Sequence, residues 1–153
     1  MKFNMSLQND IMAAMKTAMK EKDQVALEAL RAVKSAILLA KTSAGGNDEL
    51  SEEDELKILQ KLVKQRKDSA AIYLEQDRKD LALPEIDQAE VISQFLPEAL
   101  SEEEIEKVVV MTIDHIGAES MKDMGRVMGI VNKELAGKAD GKTISTIVKA
   151  KLS

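Results

Sequence analysis

The sequence predicts an all-α protein. Apolar residues recur at helical spacing along almost its whole length, and helix-start signals of the Ser-x-x-acid type interrupt the pattern at intervals. No segment shows the two-residue alternation of a strand or the turn chemistry of a hairpin. Aromatic residues are 2% of the chain while hydrophobic residues are 44%, so the core is expected to consist of Leu, Ile, Val, Met and Ala. The nine methionines fall mostly at apolar helical positions and are expected to pack in that core.

A first helix is expected from Ser6 to about Lys22, with Leu7, Ile11, Met15, Ala18 and Met19 on one face. Asp23 is a suitable N-cap for a second helix reaching Thr42, whose Leu27, Leu30, Val33, Ile37 and Leu38 form a broad apolar face. Residues 43–48 read as a loop by their Ser, Gly, Asn and Asp content. Ser51-Glu-Glu-Asp54 has the form of a capping box and opens a long helix to about Gln76, striped by Leu59, Val63, Ala70 and Tyr73. A fourth helix is expected to start near Pro84, because proline suits a first helical turn, and to end before Pro97.

Ser101-Glu-Glu-Glu104 is a second capping box, starting a helix that stops at Gly117. Ser120-Met-Lys-Asp123 opens a sixth helix that closes at Gly137, and a last one runs from about Gly141 to Leu152. The joint Leu96-Pro-Glu-Ala-Leu100 separates long helices from short ones. It sets the expected boundary between an N-terminal bundle of about four helices, 1–97, and a compact three-helix domain, 98–153.

No cysteine is present, which removes disulfides, thiolate metal sites and thiol nucleophiles together. No apolar run approaches the roughly 18 residues of a membrane span, and the first residues lack a signal-peptide pattern. A cytoplasmic protein with no membrane association is the expectation. The net charge of −5 is unevenly placed. Residues 122–153 carry seven Lys/Arg against three acids, whereas residues 1–121 carry 15 against 24. A basic surface joined to an acidic body follows.

Signals for chemistry are sparse. Walker, nucleophile-elbow and zinc-protease patterns are missing. The one histidine, His115, falls among Val109, Ile113 and Ile116 with no second histidine, which favours a structural role. The acidic runs 52–54 and 102–104 begin helices, where the dipole favours negative charge. Catalytic residues, metal ligands and cofactors are all read as none.

The segment 120–142 is the most informative. Two glycines, Gly125 and Gly129, sit inside a helical pattern, each costing about 1 kcal/mol relative to Ala. Met124, Met128, Val131 and Leu135 project to one side, and Lys122, Arg126, Gly129 and Lys133 to the other, with Gly125 at the edge. Such a face lets an anionic polymer approach bare backbone between cations. The competing reading is tight helix–helix packing through the glycines, and the pattern leaves both open.

Gly137 suits a helix C′ position; Lys138 and Lys142 flank the following turn, where Asp140 can cap a last helix whose N-terminal amides can meet an anion. Double-stranded DNA is not an expected partner, since no recognition helix rich in Arg, Asn or Gln follows. No aromatic stacking platform exists after Phe95, so folded RNA is the nucleic acid that remains.

Other cations invite a second surface. Lys34 lies between Leu30 and Ile37, and Arg66 projects into the apolar stripe of the third helix. Each must reach solvent, meet a neighbouring carboxylate or line a pocket. Lys57, Lys61 and Lys64, flanked by Lys67, form a line on the opposite face; with Arg31 they complete the candidate set.

Several spaced motifs carry a family resemblance over nearly the whole length. They are Leu30-Arg-Ala-Val-Lys-Ser-Ala-Ile37, Val63-Lys-Gln-Arg-Lys-Asp-Ser69, Phe95-Leu-Pro-Glu-Ala-Leu-Ser-Glu-Glu-Glu104, residues 117–129 and Gly137-Lys-Ala-Asp-Gly141. In these the chain resembles the YqeY family, and its C-terminal part is similar to the tail domain of GatB, a subunit of the tRNA-dependent amidotransferase. The similarity maps onto Val127-Met-Gly129, Lys133 and Gly137-Lys-Ala-Asp140.

It implies a tail that grips the body of tRNA, with Lys133, Lys138 and the glycines taking that part. The sequence departs from the common pattern at Asn132, where Pro is frequent, and at Ala136, where Lys is frequent. The resemblance does not bring the kinase-like and amidase domains of amide transfer, so catalysis by this chain alone is not expected. The leading expectation is a non-catalytic protein binding tRNA or a tRNA-containing complex. Alternatives are a protein-interaction adaptor working through the N-terminal bundle and a component of glutamine-dependent amidotransferase activity.

Overall fold

The structure, a computed structural model, describes residues 6–43 and 50–153. It is all-helical, with no strand among the described residues, and divides into two compact units, residues 1–96 and 97–153. Most of the loop expected at 43–48 lies outside the described residues, as does the very start of the chain.

The first unit holds α1 (Leu7–Glu21), α2 (Gln24–Ser43), α3 (Glu52–Glu75) and α4 (Lys79–Ser93). Local chemistry sets three of the starts. The Ser6 and Ser51 hydroxyls accept from the N–H groups of Asn9 and Asp54, and Asp23 Oδ1 accepts from Ala26 N at 3.1 Å. Lys22, left-handed at φ 58°, closes α1, with Asp23 N donating back to Ala18 O. α1–α2 and α3–α4 pair as neighbours in sequence, and α2 lies against both α3 and α4. Leu27, Leu30, Val33 and Ile37 of α2 therefore form the centre of the core, meeting Ile11, Leu59, Val63 and Ile92.

The fourth helix starts earlier than expected. α3 ends in a Schellman turn: Asp77 adopts φ 59°, its N–H donates to Leu74 O, and Arg78 N donates to Tyr73 O. The chain reverses there, so α4 begins at Lys79 and Pro84 sits inside it, exposed. No glycine marks this turn, which is why Pro84 was the stronger sequence signal. Its missing N–H leaves the Asp80 carbonyl without its helical donor.

The second unit holds α5 (Glu102–Ile116), α6 (Met124–Glu134) and α7 (Gly141–Leu152). The Ser101–Glu104 capping box is complete, and Gly117 at φ 68° ends α5. Ser120 caps a separate 3₁₀ turn, Met121–Asp123, before α6, and α6 stops at Glu134 rather than Gly137. Ile105 and Val109 of α5, Val127, Val131 and the adjoining Leu135 of α6, and Ile144, Val148 and Leu152 of α7 make the core. Leu100 N donates to Lys138 O at 2.9 Å, tying the lead-in of α5 to the α6–α7 connection.

Among the described residues the methionines do not form the core. Met12, Met19, Met111 and Met121 are exposed, while Met15, Met124 and Met128 pack only at core margins. Branched side chains with restricted rotamers fill the two centres, leaving flexible thioethers at the edges. Leu38 likewise leaves the expected apolar face and is 63% exposed. No helix among the described residues is long and apolar enough to cross a membrane.

Leu30 is 1% exposed and Leu39 is 69% exposed, on the same helix. Leu30→Ala should lower stability by about 2–5 kcal/mol, and Leu39→Ala should change it by less than about 0.5 kcal/mol, in urea unfolding followed by circular dichroism.

Candidate nucleic-acid interface

α6 owes its orientation to its own apolar spacing. Val127, Val131 and Leu135 are buried, and Met124 and Met128 pack beside them. Gly125, Arg126, Gly129 and Lys133 are thereby turned outward and exposed, as is Lys122 in the preceding turn. A Cβ built on Gly125 or Gly129 would meet no atom within 4 Å. The glycines are thus not packing contacts. Gly125, Gly129 and Lys133 recur every four residues, so bare backbone and a cation share a stripe about 12 Å long.

The cations differ in how free they are. Among the described residues no ion pair engages Lys122, Lys133, Lys138 or Lys142. Arg126 is committed to the fold: its guanidinium donates to Ile116 O at 3.2 Å and lies 4.0 Å from Asp123. Ile116 is the last residue of α5, so Arg126 satisfies an end carbonyl of that helix. Asp123 in turn accepts from Glu119 N at 2.9 Å and Ser120 N at 3.4 Å. The Glu119 N–H, above all, holds the Asp123 carboxyl below the ordinary aspartate range. Desolvation opposes this, and Ser120 N–H and Arg126 reinforce it.

Gly137, at φ 78°, turns the chain out of α6, and Lys138 N donates to Leu135 O. The main chain beneath Lys138 is pinned by Leu100, yet its side chain is exposed. Asp140 caps α7 as expected. Asp140 Oδ1 accepts from Thr143 N at 2.6 Å, so a carboxylate already occupies the end that was expected to meet an anion. Lys142, exposed in the first turn of α7, remains beside it.

The second set of cations is spread over two helices. Lys57, Lys61, Lys64 and Lys67 are exposed on α3, with Lys57 and Lys64 paired to Glu53 and Asp68. Arg66 turns towards α4, its Nε donating to Gln88 Oε1 at 3.0 Å, and Gln88 Nε2 donates to Glu28 Oε2 at 3.2 Å. A carboxylate of α2 is thus reached through an amide of α4. Arg31 and Lys34 are exposed on α2. His115 is exposed in the last turn of α5, with Ile113 and Ile116 half-buried around it.

Sequence reasoning did not identify Arg126 as a brace for α5, since the acceptor is a backbone carbonyl on another helix. Nor did it mark Ile130, exposed on α6 beside Arg126; its displacement from the Val127–Val131–Leu135 stripe was the available signal.

With this geometry in place, comparison with known proteins identifies the class. The YqeY family, described as Yqey-like protein, matches residues 8–152, and the chain belongs to that family. The chain is 30% identical over 135 residues to Altered inheritance of mitochondria protein 41, mitochondrial, of Clavispora lusitaniae, covering 86% of this chain and 77% of that protein. It is 43% identical over 79 residues to a component of the glutamyl-tRNA(Gln) amidotransferase of Thermococcus gammatolerans, covering 48% of this chain. That match spans only 13% of that protein's own length.

Gly129 has room for a methyl group in mid-helix, so Gly129→Ala should raise stability by about 0.5–1 kcal/mol, measured as a shift in the urea midpoint. The depressed Asp123 carboxyl stabilises the fold above the unfolded aspartate value of about 3.9 and loses that contribution as pH falls through its own lower value. The stability gap between wild type and Asp123→Asn should therefore be open at pH 7 and narrow progressively as pH falls below the unfolded aspartate value of about 3.9, in thermal melts across pH.

Proposed function

We propose that the C-terminal unit binds the backbone of a folded RNA, with tRNA or a tRNA-containing complex as its target. The protein acts as an accessory, supplying grip rather than chemistry. The observation that carries this reading is the solvent-facing side of α6, where two glycines with open space at Cβ stand between lysines that no ion pair engages among the described residues. A phosphate chain can reach main-chain depth there, because no side chain intervenes. Lys122 and Lys133 are the cations of the stripe, and Lys138 and Lys142 extend it past the end of α6; Gly137 sets the turn between them. Arg126 contributes by holding α5 and only secondarily by its charge.

The unit is also electrically polarised. α5 carries Glu102, Glu103, Glu104, Glu106 and Asp114 against Lys107, while residues 122–153 are net basic. An acidic helix beside a basic one orients a polyanion, repelling it from one side and receiving it on the other. Similarity of part of the chain to a protein named for glutamyl-tRNA(Gln) amidotransferase agrees with an RNA target. An association with that amidation machinery is the biological setting we propose.

Four unpaired lysines imply a salt dependence with a log–log slope of about −3, at roughly −0.7 to −0.9 per phosphate contact. Filter binding of tRNA across a salt series should show that slope in wild type. In Lys133→Glu plus Lys138→Glu it should fall to about −1.5, with affinity at low salt reduced more than about tenfold. Equal, salt-insensitive binding by both proteins would remove the proposal.

A further inference from the structure

Two residues of α2 that the helical pattern assigns to an apolar face, Lys34 and Leu38, are exposed. Both line a groove between α1 and α2. Ile11 and Ile37 form its floor, Met12 and Leu38 its apolar walls, and Lys34 and Lys41 its rim; Gln8, neutral, is the one other lining residue among the described residues. The groove encloses about 120 Å³. An apolar cavity of about 150 Å³ accommodates benzene, so this space suits one aliphatic side chain. Met12 and Leu38, 51% and 63% exposed, leave apolar surface uncovered at its mouth.

Among the described residues the charge lining the groove is of one sign. Lys34 and Lys41 are seven residues apart, two turns, or about 10.5 Å along α2. Arg31 precedes Lys34 by three residues, so Arg31, Lys34, Leu38 and Lys41 follow one line at spacings of three, four and three. Among the described residues no ion pair engages any of these three cations, and no carboxylate lines the groove.

We propose that this groove is a docking site for an acidic amphipathic helix of a protein partner. Such a helix inserts one aliphatic side chain between Ile11 and Ile37 and sets carboxylates three and four residues to either side, opposite Lys34 and Lys41. That spacing is native to a helix, which is why the occupant is helical. An anionic bilayer would meet the lysines but leave the concavity unfilled. RNA has no aliphatic group to place there. The site lies in a different unit from the RNA-binding stripe and stands or falls without it.

The test uses the full chain, labelled at Ile, Leu, Val and Met methyls, and a synthetic helical peptide of about five turns. In the peptide each Leu is flanked by Glu three residues before and four after. Saturable shifts are expected at Ile11, Met12, Ile37 and Leu38. Lys34→Glu plus Lys41→Glu, in a protein whose circular dichroism spectrum matches wild type, should weaken binding about tenfold. Lys133→Glu plus Lys138→Glu, which tests the RNA reading, should leave peptide binding intact.

The proposal is overturned if no groove methyl shifts at millimolar peptide, or if a peptide with Lys in place of Glu binds equally. It is also overturned if these methyls respond instead to phosphatidylglycerol vesicles, a lipid surface, or to protein concentration alone, a second copy of the chain.

Discussion

Burial of Val127, Val131 and Leu135 is the interaction on which the candidate interface depends. These three residues fix the rotation of α6 about its axis, and that rotation alone decides what faces out. With a helical repeat of 3.6 residues, placing 127, 131 and 135 in the core leaves 125, 129 and 133 on the far side. Two of those three are glycines. A helix ordinarily covers its solvent side with side chains, and omitting them sacrifices helix propensity for access to the backbone. The neighbours of α6 gain nothing from the omission, since nothing stands within contact distance of either missing Cβ.

Holding that surface still requires the helix to be braced at both ends. At its start, Asp123 gathers the Glu119 and Ser120 amides while Arg126 reaches across to the last carbonyl of α5. Past its end, the left-handed Gly137 allows the chain to turn, and the Leu100 amide fastens the Lys138 carbonyl. Among the described residues no ion pair engages Lys122, Lys133, Lys138 or Lys142. The division is physically sensible, because a planar guanidinium with several directed donors suits a structural bond, whereas an ammonium on a flexible stem suits an adjustable phosphate contact. One charge of the basic face is thus spent on architecture, and the others remain available.

Much of the fold was legible because its determinants are local. Ser51, Ser101 and Asp140 each accept from an amide three residues on, and Gly117 marks an end through its positive φ. The start of α4 was not legible, because Asp77 does at that turn what glycine usually does, and Pro84 drew the boundary towards itself. The methionines were misplaced because period alone cannot rank apolar residues by how deeply they pack. Leu38 failed for the same reason: the apolar arc of α2 is wider than the surface its neighbours cover. Of the candidate site, the outward stripe of α6 was visible in the spacing, while the fate of Arg66, Arg126 and the α7 amides was not.

The chain alone therefore settled helix type, most helix ends and the two-sidedness of α6, since each depends on groups within about four residues of one another. Packing between helices settled the rest. Arg66 meets Gln88, and Gln88 meets Glu28 at a separation of 60 residues. Lys34 stands at the lip of a groove because α1 covers Ile37 but not Leu38. Contacts of that range depend on where neighbouring backbones lie, and no periodicity within a single helix encodes the position of another.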